Sequence, residues 1–350
     1  MKKIQAGDID QTTGKERSIM DNKKMSYAEI AQKLGVSRTT VSRAMSGKGR
    51  IGKETKKMIR EYAVNVCGYP DLFFEEKKDM TNNIALVIPS NWRLIDLPFF
   101  QRCMIGITEI AMLNNYDTII VMAGDRDVGS LERIVNNHKA DGYVLARTYV
   151  DDVFVKYLKE AKVPFVTIGS IDDPEVIQID NDHEEACRDM VSTMVLRGMR
   201  KIAMIGNNRS HMVTNARFNG YCSGLEDNHI GVNPDYVFLD VHNKLKAEKI
   251  VDEIIMKKID GILCMDDTLC RWILTKLRRE HMRVPGQVKV ASCYDSEVLE
   301  DYTPSITSIR FDAIELGSVA CKVLLDLIQG NRVDIRTLLG YEIIFRDSTK

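Results

Sequence analysis

Six residues between positions 37 and 43 have types and spacing that suggest a chemistry: Ser37, Arg38, Thr39, Thr40, Ser42 and Arg43. Short hydroxyl donors and two long guanidinium cations share one side of a stretch whose other side is Val36, Val41, Ala44 and Met45. Hydroxyls and free backbone N–H groups at a helix start bind phosphate oxygens, and an arginine can bond a guanine edge bidentately. A helix with this outer face suits the major groove of a DNA duplex, with Arg38 and Arg43 as the base readers. Serine, threonine and arginine on an exposed helix are more often simply solvated, so the weight falls on the elements that position them.

Those elements form a consistent unit. Ser26 with Glu29 three positions on is a capping-box pair that starts a helix. Tyr27, Ile30, Ala31 and Leu34 repeat at helical spacing to give one buried stripe, and Gly35 supplies the left-handed residue that stops it. The polar-faced helix follows at once. Ser46-Gly47-Lys48-Gly49-Arg50-Ile51 then reads as a basic loop, and a third helix from about Lys53 to Val66 places Met58, Ile59, Tyr62, Ala63 and Val66 on one face. Residues 22–70 hold 11 Lys and Arg against 3 Asp and Glu, whereas the rest of the chain holds 38 against 47. A basic module on an acidic body is the charge layout expected of phosphate binding joined to a separate regulatory part.

The run IAQKLGVSRTTVSRAMSGKGRIGKETKKMI, with Gly68-Tyr69-Pro70 after it, resembles the headpiece of the lactose-repressor (LacI-type) family of transcription factors. The resemblance implies that Arg38 and Thr39 occupy the two positions that most determine operator sequence, that Arg43 reads deeper in the helix, and that Ser37, Thr40, Ser42, Ser46 and Arg50 hold phosphates.

Composition sets outer bounds. At 350 residues and 44% apolar content the chain is globular and long enough for two or three folding units. Its eight cysteines, at 67, 103, 187, 222, 264, 270, 293 and 321, form no C-x-x-C pair and no zinc-type spacing, so they read as reduced core residues of a cytoplasmic protein with no metal. No stretch approaches the roughly 20 apolar residues that span a bilayer. Residues 1–25 are expected to be a disordered extension, with Met20 and Met25 as alternative starts.

From Asn83 onward short apolar runs alternate with amphipathic helical stretches. Runs at 84–89, 118–122, 142–146, 164–168, 201–205, 236–239, 261–265 and 288–292 read as strands, and 341–346 as a terminal one. This alternation predicts βαβ units and a parallel sheet covered on both faces. One barrel or two open sheets would satisfy it. Two sheets are preferred because LPFF after the first strand, Ile179-Asp180-Asn181 near the midpoint and Tyr302-Thr303-Pro304 late in the chain match motifs of the same family, as do NARFNGYCSGLED and MDDTLCRWILTKLRREHMRVPGQVKVAS. The resemblance thus covers almost everything after residue 25. It implies a three-helix helix-turn-helix headpiece (26–70), a hinge (71–82) and a periplasmic-binding-protein-like core (83–350). That core is two Rossmann-like α/β subdomains, about 83–180 plus 311–331 and about 181–310 plus 332–350, with three crossings and a small effector in the cleft at the carboxyl ends of the strands.

By the same resemblance Arg217 matches the arginine that commonly bonds the effector, and Asp266 stands where an asparagine usually contacts it. Tyr294, followed by Asp295, replaces the usual sugar-binding aspartate, and Phe311 replaces a residue that is frequently polar. Trp92, in the loop after the first strand, is a candidate cleft wall; Trp272 is expected to pack. The hinge departs from the family: the residue that wedges into the minor groove falls near Lys77, in an acidic stretch, with Leu72, Phe73 or Phe74 available in a shifted register and a hinge of little consequence as the third option.

Enzyme chemistry has little foothold. There is no G-x-G-x-x-G after the first strand, no phosphate-binding G-x-x-x-x-G-K-[ST], no G-x-S-x-G, and His183-Glu184-Glu185 lacks a second histidine, reading as a solvated helix start. The expectation is a ligand-controlled regulator, a repressor, needing no cofactor and no catalytic residue. It would bind a pseudo-palindromic operator as a homodimer and respond to a carbohydrate or related metabolite. The alternative is a soluble sugar-binding protein or a Rossmann-like enzyme without DNA function.

Overall fold

The computed structural model describes residues 25–46, 51–67, 80–90, 98–124 and 126–350, in two compact units, 1–80 and 81–350. In the first unit Ser26 opens α1 (Tyr27–Leu34) with the full capping box: the Ser26 N–H donates to Glu29 Oε2 at 2.7 Å and the Glu29 N–H to Ser26 Oγ at 3.4 Å. Gly35 closes it at φ +66°, a conformation that costs glycine nothing. α2 (Arg38–Ser46) and α3 (Lys53–Asn65) complete the unit. Its core is Ile30, Ala31, Val41, Ala44, Met45, Ile59, Ala63 and Cys67, flanked by Tyr27, Leu34, Val36 and Tyr62. In so small a core, truncating Ile30 or Ile59 to alanine is a 2–5 kcal/mol change by the usual scale of roughly this size.

Two details differ from the sequence reading. Met58 and Val66 are exposed, by 39% and 61%, because the buried face of α3 runs through Ile59 and Ala63 to Cys67. Met25, assigned to the disordered extension, packs against this core, with its sulfur 3.6 Å from the Cys67 thiol. Residues 1–24, the 47–50 loop with Arg50, Gly68-Tyr69-Pro70, the 71–79 part of the hinge with all its candidate wedges, and Trp92 lie outside the described residues.

The second unit contains two six-stranded sheets. The first has the order β11-β5-β4-β3-β1-β2 and is wholly parallel: β1 (Asn83–Pro89), β2 (Asp117–Ala123), β3 (Gly142–Leu145), β4 (Phe165–Ile168), β5 (Gln178–Asn181) and β11 (Arg336–Leu339). α4 (Pro98–Leu113) and α12 (Ala313–Ile328) cover one face, and α5 (Gly129–Asn136) and α6 (Val153–Ala161) the other. The second sheet runs β12-β10-β9-β8-β6-β7: β6 (Ile202–Ile205), β7 (Val237–Phe238), β8 (Gly261–Cys264), β9 (Lys289–Ser292), β10 (Thr307–Arg310) and an antiparallel β12 (Glu342–Ile344). Its two covers are α7 (His183–Leu196) with α8 (Met212–Asp227), and α9 (Lys244–Met256) with α10 (Asp267–Arg279); a short α11 (Glu297–Glu300) follows β9.

The expected two-sheet core with three crossings is present, and the barrel is not formed. One boundary moves. Residues 336–339 pair with β5 in the first sheet, so the last crossing falls at Gly340-Tyr341 and not near 331, and the terminal strand shortens to β12. Trp272 packs against the second core as expected.

Candidate functional site

In the first unit, α2 turns Val41, Ala44 and Met45 inward and leaves Ser37, Arg38, Thr39, Ser42, Arg43 and Ser46 exposed, with Thr40 half-buried. Ser37 caps the helix: the Thr40 N–H donates to its Oγ at 3.0 Å, and the two hydroxyls share a bond of 2.8 Å. That pair uses one of its two hydroxyl protons, leaving one for an outside acceptor. Among the described residues, the side chains of Arg38, Thr39, Ser42 and Arg43 make no hydrogen bond or ion pair within the fold. The face is therefore a set of uncommitted donors at a helix start.

In the second unit the carboxyl ends of both sheets converge on the crossings. α8 crosses α7 at Gly220, where a Cβ would stand 2.1 Å from the Glu184 carbonyl oxygen; only glycine permits the approach. The crossing sets Arg217 against His183. Arg217 is 8% exposed, donates from Nη1 to the Met265 carbonyl, and has its Nη2 3.4 Å from His183 Nδ1, while its Nε is buried without an acceptor. His183 Nε2 lies 3.4 Å from Asp180 Oδ1. Burial first, and the Arg217 charge second, hold the His183 pKa below its ordinary value, so the ring is neutral, donating to Asp180 and accepting from Arg217. Asp180 stays ionised: burial opposes its charge, but His183 and the Ser170 N–H outweigh it and lower its pKa. Phe311 stands edge-on to the His183 ring at 4.7 Å.

The other expected cleft residues divide. Asp266 caps α10 by accepting the Leu269 N–H at 2.7 Å and takes a second bond from the Asn207 amide. Asp267 beside it is 7% exposed with Oδ1 lacking a partner, and burial together with the Asp266 charge raises its pKa. Tyr294 meets Phe99, of the first half, edge-on at 6.2 Å. Asp295, expected at the effector, is instead taken up inside the second half. It accepts from Arg346 Nη1 at 2.6 Å, from Ser308 at 2.6 Å and from Arg310 at 3.0 Å, a buried ion pair that needs no ligand.

Two participants were not foreseen. His183 is no solvated helix start; its burial follows from the crossing at Asp182, and its signal was the Ile179-Asp180-Asn181 motif just ahead of it. Arg147, after β3, carries no sequence mark at all. Its guanidinium lies 5.5 Å from the Phe100 ring and 6.0 Å from Tyr149.

Both units have counterparts among known proteins. Residues 27–70 match "Bacterial regulatory proteins, lacI family", and residues 191–349 match "Periplasmic binding protein-like domain". The HTH-type transcriptional regulator RegA of Clostridium saccharobutylicum is 25% identical over 334 residues, covering 93% of this chain and 99% of that protein. The HTH-type transcriptional regulator IdnR of Escherichia coli (strain K12) is 26% identical over 339 residues, covering 93% and 98%. Among solved structures, the transcriptional regulator CelR in complex with cellobiose superposes with a TM-score of 0.71 at 24% identity, over 93% of this chain and 99% of that one.

Proposed function

The chain belongs to the LacI-type family of bacterial transcriptional regulators, and we propose that it acts as a repressor, a homodimer on a pseudo-palindromic operator, released or tightened by a carbohydrate-related effector held between its two sheets. The observation that carries the reading is the outer face of α2, whose Arg38, Thr39, Ser42 and Arg43 side chains are exposed and make no hydrogen bond or ion pair among the described residues. Arg38 and Arg43 read base edges; Ser37, Thr40, Ser42, Ser46 and Arg50 hold phosphates. A single small headpiece binds weakly, so two are held together to read two half-sites.

The surface for a second copy is supported by the first sheet's edge. β2 turns Ile120 and Met122 outward, 42% and 46% exposed, and α4 beside it exposes Ile105, Met112 and Leu113 by 45%, 68% and 75%. Exposed large apolar side chains gathered on neighbouring elements favour a partner surface over water. The effector site comprises Arg217, Asp266, Asp267 and Tyr294, with His183 against Arg217 and Phe311 against His183. Cellobiose in the related CelR structure supports a sugar-like ligand. Effector closes the cleft and changes headpiece spacing to the extent that it binds one state better than the other. In a gel-shift titration, Arg217→Ala should retain operator binding and lose the effector response; an unchanged response would place the ligand elsewhere.

A further inference from the structure

The loop after β3 and the start of α8 are joined across the two halves. The Val150 N–H donates to the Ser210 carbonyl at 2.8 Å, the Met212 N–H donates to the Thr148 carbonyl at 3.2 Å, and the Tyr149 and His211 rings meet at 4.9 Å. Arg147 immediately precedes this junction, and Arg217 follows it by five residues of helix, about 7.5 Å of rise. Each carries a guanidinium nitrogen shielded from water with no acceptor: Nη1 of Arg147 and Nε of Arg217. Among the described residues neither arginine has an ion-pair partner, and Arg147 makes no hydrogen bond at all. It lines a recess at the carboxyl ends of β1, β2 and β3 with Pro89, Gly124, Leu145 and Tyr149, and it is the one charged group there among the described residues.

Arg147 is half-buried, and its one guanidinium nitrogen shielded from water without an acceptor is costly; the aromatic contacts with Phe100 and Tyr149 offset only part of that cost. Among the described residues, three carboxylates of the same region are already engaged. Asp180 takes His183 and the Ser170 N–H, Asp266 takes Asn207 and the α10 cap, and Asp295 takes Arg346. Of the four carboxylates Asp180, Asp266, Asp267 and Asp295, Asp267 keeps a buried oxygen without a partner, an acceptor for ligand hydroxyls. We infer that the effector is an acidic polyhydroxy compound, a sugar acid or sugar phosphate, whose anionic group is bound by Arg147 at the first sheet while Arg217 and Asp267 take its hydroxyls at the second. The inference rests on the effector-cleft reading above and adds to it the charge of the ligand and the residue that recognises it. Guanidinium groups bond carboxylate and phosphate oxygens in pairs, which makes Arg147 a geometric as well as an electrostatic selector.

The test uses the full chain and matched probes: one hexose offered as the neutral sugar, the aldonate, the uronate and the 6-phosphate. Calorimetric titration should show binding by an anionic form at least about tenfold tighter than by the neutral sugar, the scale of one charge-assisted hydrogen bond. Arg147→Gln should remove that advantage, and Arg147→Lys should keep part of it; both variants should still shift operator DNA. A phosphate-dependent site weakens between pH 7.5 and 5.5 as the ester takes up its second proton near pH 6, whereas a carboxylate-dependent site does not. Equal binding of neutral and charged forms, no binding by any charged form, or an unchanged affinity in Arg147→Gln overturns the inference. A neutral sugar that releases the operator through Arg217 would overturn the anion and keep the regulator; failure of the chain to bind any duplex would instead strike the reading beneath it.

Discussion

At the residue scale the decisive contrast is between side chains the fold uses and those it leaves open. Asp295, expected at the effector, has its oxygens engaged by Arg346, Arg310 and Ser308. Arg38 and Arg43 have no such engagement. Replacing Arg38 with alanine should cost about 1–3 kcal/mol on the selected site and relax preference at one base pair, read by titrating sequence variants of that site; equal losses on every sequence would make it a phosphate contact. His183 gives a second prediction. Its folded pKa lies below the unfolded value of about 6.5. As pH falls through that value the unfolded chain takes up a proton that the native ring refuses, so native stability declines. Melting temperature should therefore fall from pH 7 toward the folded value, and His183→Gln should flatten that part of the profile; parallel profiles would contradict the neutral ring. The sequence carried only the Ile179-Asp180-Asn181 motif ahead of this residue; its burial against Arg217, 34 residues further on, was not legible.

At the element scale, strands with continuous apolar runs were legible, and the helix starts and stops of the first unit were marked by Ser26, Glu29 and Gly35. β5, β10 and β11 were not read as strands. Gln178–Asn181 contains one aliphatic residue, Thr307–Arg310 likewise, and Arg336–Leu339 is a half-exposed edge; each is a strand because of its neighbours and not its own pattern. The misplaced last crossing has the same cause. At the α7–α8 crossing Gly220 sets how closely Arg217, the proposed effector arginine, approaches His183. Gly220→Ala forces the helices apart and should destabilise the fold by about 1–3 kcal/mol in thermal or urea unfolding. It should also weaken the effector response more than operator affinity. A neutral substitution would show that the crossing is not as tight as the geometry requires.

At the scale of the whole molecule, a net charge of −1 conceals a basic unit carrying donors its own fold does not use and a larger acidic unit carrying cations it does not neutralise. On the proposed function, the first would meet a duplex, the second a small ligand, and the exposed apolar residues of β2 and α4 a second copy of the chain. The two-sheet core, its crossings and the helix-turn-helix were legible because they rest on periodicity and long motifs. The inferred charge of the ligand was not, because it rests on Arg147 Nη1 being buried without an acceptor in three dimensions. Selection of the purified full chain against random duplex DNA, at two salt concentrations, tests the central claim most directly. The account predicts enrichment of an inverted repeat with half-sites about one helical turn apart, bound far more weakly at the higher salt; recovery of no preferred sequence, or of binding indifferent to salt, would contradict it.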